Sequence, residues 1–272
     1  MRFGGIIFYE NYGKCEDRMM ELKIITYNIR VQSKAKFALR AADVAEMIRT
    51  EAPDVVCFQE FADYMQCVLA PYLPSYTFVG GFRDADRSGE GTVVAFKRDR
   101  FFLSDCRTNW LSATPHIPGS RYESDQSIYP RIYTAVTLIE CDTYKTFRIY
   151  NTHFDHYGRE ARLLEAEQLL SDIAEDSAYV SYPVILTGDL NSAPNVPSID
   201  MIRRAGGLTD VTAGIKQSFT NDGEPYDSWQ GDKIDYIFVS QGVNCSSCER
   251  VAGDEYGCCG SDHYALSATL SI

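Results

Sequence analysis

Pro183-Val-Ile-Leu-Thr-Gly-Asp-Leu-Asn191 runs from an unbroken apolar stretch into an abrupt polar end. A run of about four to eight aliphatic and β-branched residues without polar alternation is the pattern of a strand covered on both faces. Gly188-Asp189-Leu190-Asn191 then sets a carboxylate and an amide where the chain leaves that strand. The arrangement recurs on either side. Residues 23–27 read as a strand ending at Asn28, residues 54–58 as one ending at Gln59-Glu60, and residues 146–152 as one ending at His153-Phe154-Asp155. Ser261-Asp262-His263 stands before the last strand, in which Leu266, Ala268, Leu270 and Ile272 alternate with Ser267, Thr269 and Ser271. A single polar residue after a strand is ordinary turn chemistry. Five such placements in one chain point to a shared sheet edge.

Further strands are predicted over residues 76–79, 92–96, 131–139 and 233–239 from their β-branched and aromatic content. Phe37, Ala41, Val44 and Ile48 recur on one helical face that Pro53 brings to an end. A second helix is predicted over residues 159–175, with Leu163, Ala166, Leu170 and Ile173 as its buried stripe and Arg162, Glu165 and Glu167 facing water. Such a mixture of strands and helices is α/β. Two sheets packed face to face, each covered outside by helices, would bury the strands on both sides.

The chain has 272 residues, 45% of them hydrophobic, with no repeat and no linker, so one well-cored domain is expected over residues 20–272. Residues 1–19 read as a dispensable extension. Their apolar patch, residues 4–9, is shorter than the roughly 7 to 15 residues of a secretory signal core, and Glu10, Asn11 and Lys14 interrupt it. The nine cysteines are accordingly expected as reduced thiols in a cytoplasm. With 38 acidic against 26 basic side chains, the net charge is −12. That excludes a broad basic face for duplex nucleic acid, whose affinity comes from neutralising many phosphates. A small or locally bound phosphate substrate remains compatible. No apolar run approaches the roughly 20 residues of a membrane span, and a monomer is expected.

Asp235 interrupts the strand Ile234-Asp-Tyr-Ile-Phe-Val239, whose neighbours predict burial. A buried carboxylate without a partner costs several kcal/mol, so Asp235 needs a fixed one. Lys233 or a backbone amide would be structural partners. His263 would be a functional one, held in one tautomer and made more basic. If Glu60, Asp189 and Asp262 converge, their repulsion requires a cation, and oxygen ligands without paired cysteine or histidine select a hard one, Mg²⁺ or Mn²⁺. Such a cluster reads as a phosphate-ester hydrolase site, in which a carboxylate positions water and imidazoles stabilise charge on the phosphoryl group.

The blocks Thr26-Tyr-Asn28, Gln59-Glu60, Thr152-His153, Gly188-Asp-Leu-Asn191, Lys233-Ile-Asp235-Tyr and Ser261-Asp-His263 occur in the order seen in the magnesium-dependent endonuclease/exonuclease/phosphatase superfamily, which the chain resembles from Leu22 to Ile272. Asn109-Trp-Leu-Ser-Ala-Thr-Pro115 and Gly89-Glu-Gly91 resemble its small bacterial-type metal-dependent hydrolases. The resemblance implies a four-layered α/β/β/α sandwich of two packed mixed sheets with helices outside. It implies Glu60 as the principal Mg²⁺ ligand with Asn28 and Asp262 beside the metal, and Asp189 as the group that activates water. It further implies Asn191 on the phosphoryl oxygens, and His263, oriented by Asp235, in transition-state stabilisation or a share in activating water. His153 matches the deoxyribonuclease, sphingomyelinase and nocturnin-like branches, which disfavours an abasic-site repair role. Arg131 reads equally as a contact to substrate phosphate or as a surface ion pair.

The function expected is therefore a Mg²⁺-dependent phosphoesterase, hydrolysing a phosphodiester or phosphomonoester by in-line attack of water. Its rival is a catalytically silent binding module on the same fold. Cys245-Ser-Ser-Cys248 with Cys258-Cys259 suggests a zinc site only weakly, because the second pair is adjacent. His116 sits in a proline-rich stretch that reads as a loop beside the site, and His156 as a neighbour of the His153 block. Trp110, Trp229 and most tyrosines read as packing residues.

Overall fold

Residues 19–204, 207–220, 233–254 and 257–272 are described by the structure, a computed structural model of the chain. The chain order is β1 (Glu21–Asn28), α1 (Lys34–Glu51), β2 (Val55–Ala62), α2 (Asp63–Leu69), β3 (Tyr76–Val79), β4 (Glu90–Lys97), β5 (Phe101–Trp110), β6 (Ile132–Glu140) and β7 (Thr146–His153). It continues with α3 (Arg159–Tyr179), β8 (Val184–Asp189), α4 (Pro197–Arg204), β9 (Leu208–Asp210), β10 (Asp235–Ser240), β11 (Asn244–Arg250) and β12 (Leu266–Ser271). One six-stranded sheet has the order β11-β12-β1-β2-β4-β3, the other β5-β6-β7-β8-β10-β9. Each contains one parallel pair, β1 with β2 and β7 with β8, and each pair is joined by a crossover helix, α1 or α3.

Strand alternation sorts the side chains into layers. Leu22, Ile24, Val55, Cys57, Val94 and Phe96 of the first sheet meet Val136, Leu138, Phe147, Ile149, Ile185 and Ile237 of the second in the central core. Alternate residues point outward. Ile25, Tyr27, Val56 and Phe58 pack on Phe37, Ala41, Val44 and Ile48 of α1, while Tyr150, Leu186, Tyr236 and Phe238 pack on Ala166, Leu169, Ile173, Ile199 and Ile202 of α3 and α4. The result is the helix, sheet, sheet, helix sandwich. The alternating end of the chain places Leu266, Ala268, Leu270 and Ile272 in the central core.

Helix α1 starts where Ser33 Oγ accepts from the Lys36 amide, and it stops at Ala52, whose left-handed backbone (φ +49) precedes Pro53. A residue before proline is sterically pushed out of the helical region. At Gly188 a Cβ would lie 2.1 Å from the Thr152 carbonyl oxygen. Only glycine lets β8 approach β7 that closely, just before Asp189.

The expected solvent face of α3 is corrected by the structure. Arg162 and Glu165 are buried, whereas Leu163 and Leu170 are only half-buried. Glu165 Oε2 accepts from the Asp155 amide at 2.9 Å, and Arg162 Nη1 donates to the Asp155 carbonyl at 2.9 Å. A polar contact beneath the helix has replaced an apolar one, which hydropathy periodicity cannot register. Burial pushes Glu165 up from 4.5 to about 8. Between those values the native state keeps the proton that the unfolded chain has released, so this group makes stability fall as pH rises, by up to about 1.4 kcal/mol per pH unit. Glu165→Gln keeps an acceptor for the Asp155 amide and removes the titration. Thermal melts should therefore show the variant gaining on wild type from pH 5 to pH 8. Parallel curves would refute the assignment.

The expectation for residues 1–19 falls outside the described residues, apart from Met19, and so does Trp229. Among the described residues no helix is long and apolar enough to cross a membrane.

Candidate active site

The alternation that builds the central core also builds the site. On β1 the inward series Ile24, Thr26, Asn28 passes from apolar to polar; on β7 it is Ile149, Asn151, His153, and on β8 Ile185, Thr187, Asp189. Antiparallel β10 enters from the other direction, and its first residue, Asp235, pairs with Asp189. Directly beneath the site, Gln59 Nε2 donates to Asn151 Oδ1 at 2.7 Å and to Thr26 Oγ1 at 3.0 Å, while Asn151 Nδ2 donates to the Phe58 carbonyl at 2.8 Å. These buried bonds tie the two sheets together and fix the floor on which the catalytic candidates stand.

Register in β2 shifts between Phe58 and Phe61, and Glu60 sits in that bulge with φ +53. A left-handed glutamate costs on the order of 1 kcal/mol, and bulges re-aim side chains beside active sites. Here Glu60 Oε1 accepts from Asn28 Nδ2 at 3.1 Å and Oε2 from the Val31 amide at 2.8 Å. Asn191 is the second left-handed residue of the site (φ +45). Its amide donates to Asp189 Oδ1 at 2.9 Å, and one Nδ2–H goes to the Phe154 carbonyl at 2.9 Å.

Asp189 Oδ2 is the meeting point. Asn28 Nδ2 donates to it at 2.9 Å, and Nε2 of His153 and of His263 lie 3.6 Å and 3.7 Å away. Asp235 Oδ2 is 2.8 Å from His263 Nδ1. Lys233 instead serves Asp210, with Nζ 3.1 Å from Oδ2. The two imidazoles carry different charge. Burial disfavours a charged His263, but Asp235, Asp189 and Asp262 together outweigh it and push the group up to about 10. Burial, reinforced by the guanidinium groups of Arg131 and Arg83, drives His153 well below the ordinary histidine value, so it is neutral. The loop bearing His263 is held by Ser261 Oγ, which donates to the Asn28 carbonyl at 2.7 Å, and by Thr220, whose amide donates to the Asp262 carbonyl at 2.8 Å.

Glu60, His153, Asp189, Asn191 and His263 line a cleft of about 420 Å³ with Arg83, Glu90, Tyr129, Arg131 and His156 on its walls, whereas Asn28 and Asp235 stand behind that lining. A larger groove of about 510 Å³ runs beside Leu170, Ile173 and Val184, but among the described residues no carboxylate, imidazole or guanidinium lines it. Arg131 is buried, which corrects its reading as a surface ion pair: Nε lies 3.4 Å from Asp155 Oδ2 and Nη2 lies 2.8 Å from His156 Nδ1. A guanidinium only donates, so His156 Nδ1 accepts and the ring proton sits on Nε2. Asp155 is itself fixed by the amides of Ser127, Tyr157 and Gly158 at 3.1, 3.0 and 2.7 Å.

Sequence reasoning missed Arg83 and Glu90. Arg83 grips Glu90 through both terminal nitrogens at 2.6 and 2.8 Å, and its guanidinium lies 4.6 Å over the Tyr129 ring. The Gly89-Glu-Gly91 block carried that signal. The Asn109–Pro115 block explains itself structurally, since Trp110 Nε1 donates to the Arg83 carbonyl at 2.6 Å and holds that loop. His116 is exposed and does not line the cleft.

The donor set suits a hard divalent ion. Glu60, Glu90 and His153 present ligand atoms within 4.8 Å of one another, as do Asp189, Asp235 and His263, and among the described residues neither group includes a cysteine. Asp262 lines the same cleft, 3.7 Å from Arg30 Nε. Burial raises its carboxyl pKa, and the neighbouring charge of Glu60 adds to the rise. Repelling, half-desolvated oxygens are the environment such a cation relieves.

Comparison with known proteins agrees with the architecture. A crystal structure of an endonuclease/exonuclease/phosphatase family protein from Bacteroides thetaiotaomicron superposes with a TM-score of 0.82 at 25% identity, covering 94% of this chain and 99% of that one. A second, from Bacteroides vulgatus, gives 0.82 at 28% identity over 92% and 98% of the two chains. A mannosyl-6-phosphatase from Bacteroides thetaiotaomicron gives 0.79 at 25% identity over 92% and 100%. Because the profile of the endonuclease/exonuclease/phosphatase family matches residues 25–263, spanning all six blocks from Thr26 to His263, the chain belongs to that family of phosphate-ester hydrolases.

Proposed function

We propose that the protein is a Mg²⁺-dependent phosphoesterase, with Mn²⁺ as a substitute, that hydrolyses a small phosphate ester by in-line attack of water. The observation that carries this reading is the convergence on Asp189 Oδ2 of Asn28, His153 and His263. Glu60 would be the principal metal ligand, with Asp262 beside it directly or through its water; Asn28, whose Nδ2 donates to both Glu60 and Asp189 while its Oδ1 accepts from the Arg30 amide at 3.0 Å, would hold those carboxylates at the metal's edge. A bound divalent ion supplies positive charge to the phosphoryl oxygens. Asp189 orients and deprotonates the attacking water. His263, charged and fixed by Asp235, donates to the phosphoryl group, and neutral His153 donates beside it. The second Nδ2–H of Asn191 and the guanidinium of Arg131 hold the remaining phosphoryl oxygens.

The mannosyl-6-phosphatase likeness supports a sugar phosphate as substrate. A cleft of about 420 Å³ has the size of a small-ligand site, and among the described residues two guanidinium groups, those of Arg83 and Arg131, line it. Turnover of p-nitrophenyl phosphate and its diester with Mg²⁺, abolished by chelation and restored by added metal, is the expected result. A panel of hexose phosphates, nucleotides and oligonucleotides then ranks substrates. No turnover of any phosphate ester with Mg²⁺ or Mn²⁺ would refute the reading and leave the silent module.

A further inference from the structure

Cys258 Sγ lies 3.6 Å from Cys259 Sγ, and among the described residues this is the one sulfur pair joined by a hydrogen bond. Both belong to Gly257-Cys-Cys-Gly-Ser-Asp-His263, a tight turn closed by the Ser261 amide donating to the Cys258 carbonyl at 2.9 Å. Its two central residues, Cys259 (φ +50) and Gly260 (φ +73), are both left-handed. Asparagine, aspartate or glycine normally fills the first of those positions. The cysteine is held there from outside: Tyr27 Oη donates to the Cys258 carbonyl at 2.6 Å and Arg40 Nη1 to the Cys259 carbonyl at 3.2 Å.

We propose that Cys258 and Cys259 form a dithiol modification site, which a low-molecular-weight disulfide oxidises reversibly to a vicinal disulfide, and that this closure shuts the adjacent active site. The thiolate of Cys259, half-buried, attacks one sulfur of the small disulfide and expels a thiolate. Cys258, buried behind it, then gives up its proton and displaces the second, so two protein thiols become one disulfide and one small disulfide becomes two thiols. Cys258 Sγ lies 3.6 Å from Cys259 Sγ and 3.5 Å from the Ala252 carbonyl, and Cys259 Sγ lies 3.6 Å from the Asp43 carbonyl. The contact from Cys258, aided by the Arg40 guanidinium, holds the Cys259 thiol below its ordinary value against burial and the charges of Asp43 and Asp254.

Geometry couples the bond to the site. Sulfurs at 3.6 Å must close to about 2.05 Å. The α-carbons of adjacent residues lie only about 3.8 Å apart, below the usual disulfide span of roughly 4.4 to 6.8 Å, so the turn has to rewind. That turn carries the contacts that seat the catalytic loop. The Cys258 amide donates to the His263 carbonyl at 3.0 Å, the His263 amide to Ser261 Oγ at 3.1 Å, and Ser261 Oγ to the Asn28 carbonyl at 2.7 Å. The modification stands on the sulfur geometry alone, whereas its effect on turnover rests on the phosphoesterase reading.

The test exposes the full chain to oxidised glutathione, alkylates the remaining thiols without reduction, and maps peptides by mass. The peptide holding residues 258 and 259 should be two hydrogens lighter than its reduced form and escape alkylation. Hydrolysis of p-nitrophenyl phosphate should fall at least tenfold and recover with dithiothreitol. The double variant Cys258→Ser/Cys259→Ser should keep reduced wild-type activity within twofold and ignore the oxidant. Cys259→Ser alone gives the same comparison should the double variant not fold. Full alkylation of both thiols, a stable glutathione adduct in place of the disulfide, or a disulfide with unchanged turnover would each overturn the proposal. Should no phosphate ester be hydrolysed, the phosphoesterase reading fails, and the mass map still decides whether the dithiol site exists.

Discussion

Glu60→Gln is expected to lower kcat by at least about a hundredfold, the scale of losing one charge-stabilising group, while the melting temperature stays within a few degrees of wild type. The substitution preserves side-chain volume and an acceptor for the Val31 amide, which donates to Glu60 Oε2 at 2.8 Å. It also leaves the left-handed backbone at this position no more strained than before. What disappears is the negative charge in the oxygen cluster. In addition, a glutamine nitrogen now faces Asn28 Nδ2, the donor that lies 3.1 Å from Glu60 Oε1. Half-saturation with Mg²⁺ or Mn²⁺ should rise steeply, which calorimetry follows independently of turnover. Activity within a few-fold of wild type, or unchanged metal affinity, would remove Glu60 from the metal site.

That prediction began from an acid after an apolar strand, and much of the architecture was readable in the same way. Strands covered on both faces carry continuous apolar runs, so β1, β2, β7, β8 and β10 were visible with their polar ends. The strands without an apolar run lie at sheet edges. β5, Phe101-Phe-Leu-Ser-Asp-Cys-Arg-Thr-Asn-Trp110, and β11, Asn244-Cys-Ser-Ser-Cys-Glu-Arg250, each border one sheet and expose much of their length. Edge strands read as polar because they have fewer neighbours to exclude water. Helices α2 and α4, of seven and eight residues, are too short for periodicity to stand out.

Within the site, sequence reading identified the polar groups at strand ends and in the Asn191 and Asp262-His263 loops, but not Arg83 and Glu90. The bulge that turns Glu60 toward Asn28 leaves no trace in hydropathy. Arg83 and Glu90 reach the cleft only because Trp110 and a hairpin-like bridge between Phe82 and Gly91 fold their segment back over it. Buried charge is the common difficulty. Arg131, Asp155, Arg162 and Glu165 are bonded together out of water, and a one-dimensional pattern assigns Arg162 and Glu165 to the surface and leaves Arg131 undecided.

His263→Ala should likewise cost at least about a hundredfold in kcat, and its partner Asp235 makes the result interpretable. Asp235 is fully buried, its Oδ2 faces His263 Nδ1 at 2.8 Å, and Oδ1 has no hydrogen-bond partner among the described residues. Removing the imidazole leaves a buried carboxylate uncompensated, a defect of roughly 3 to 5 kcal/mol, so His263→Ala alone conflates catalysis with folding. Asp235→Asn separates them. It keeps the shape, withdraws the charge that fixes and protonates the ring, and should lower kcat with little change in KM. The double variant His263→Ala/Asp235→Asn removes the stranded charge and should regain thermal stability without regaining activity. A catalytic dyad requires the two single losses in kcat to be far from additive, since each disables the same unit. Additive losses, or recovery of turnover along with stability in the double variant, would reduce the pair to a structural ion pair and leave Asp189 and His153 to carry the chemistry alone.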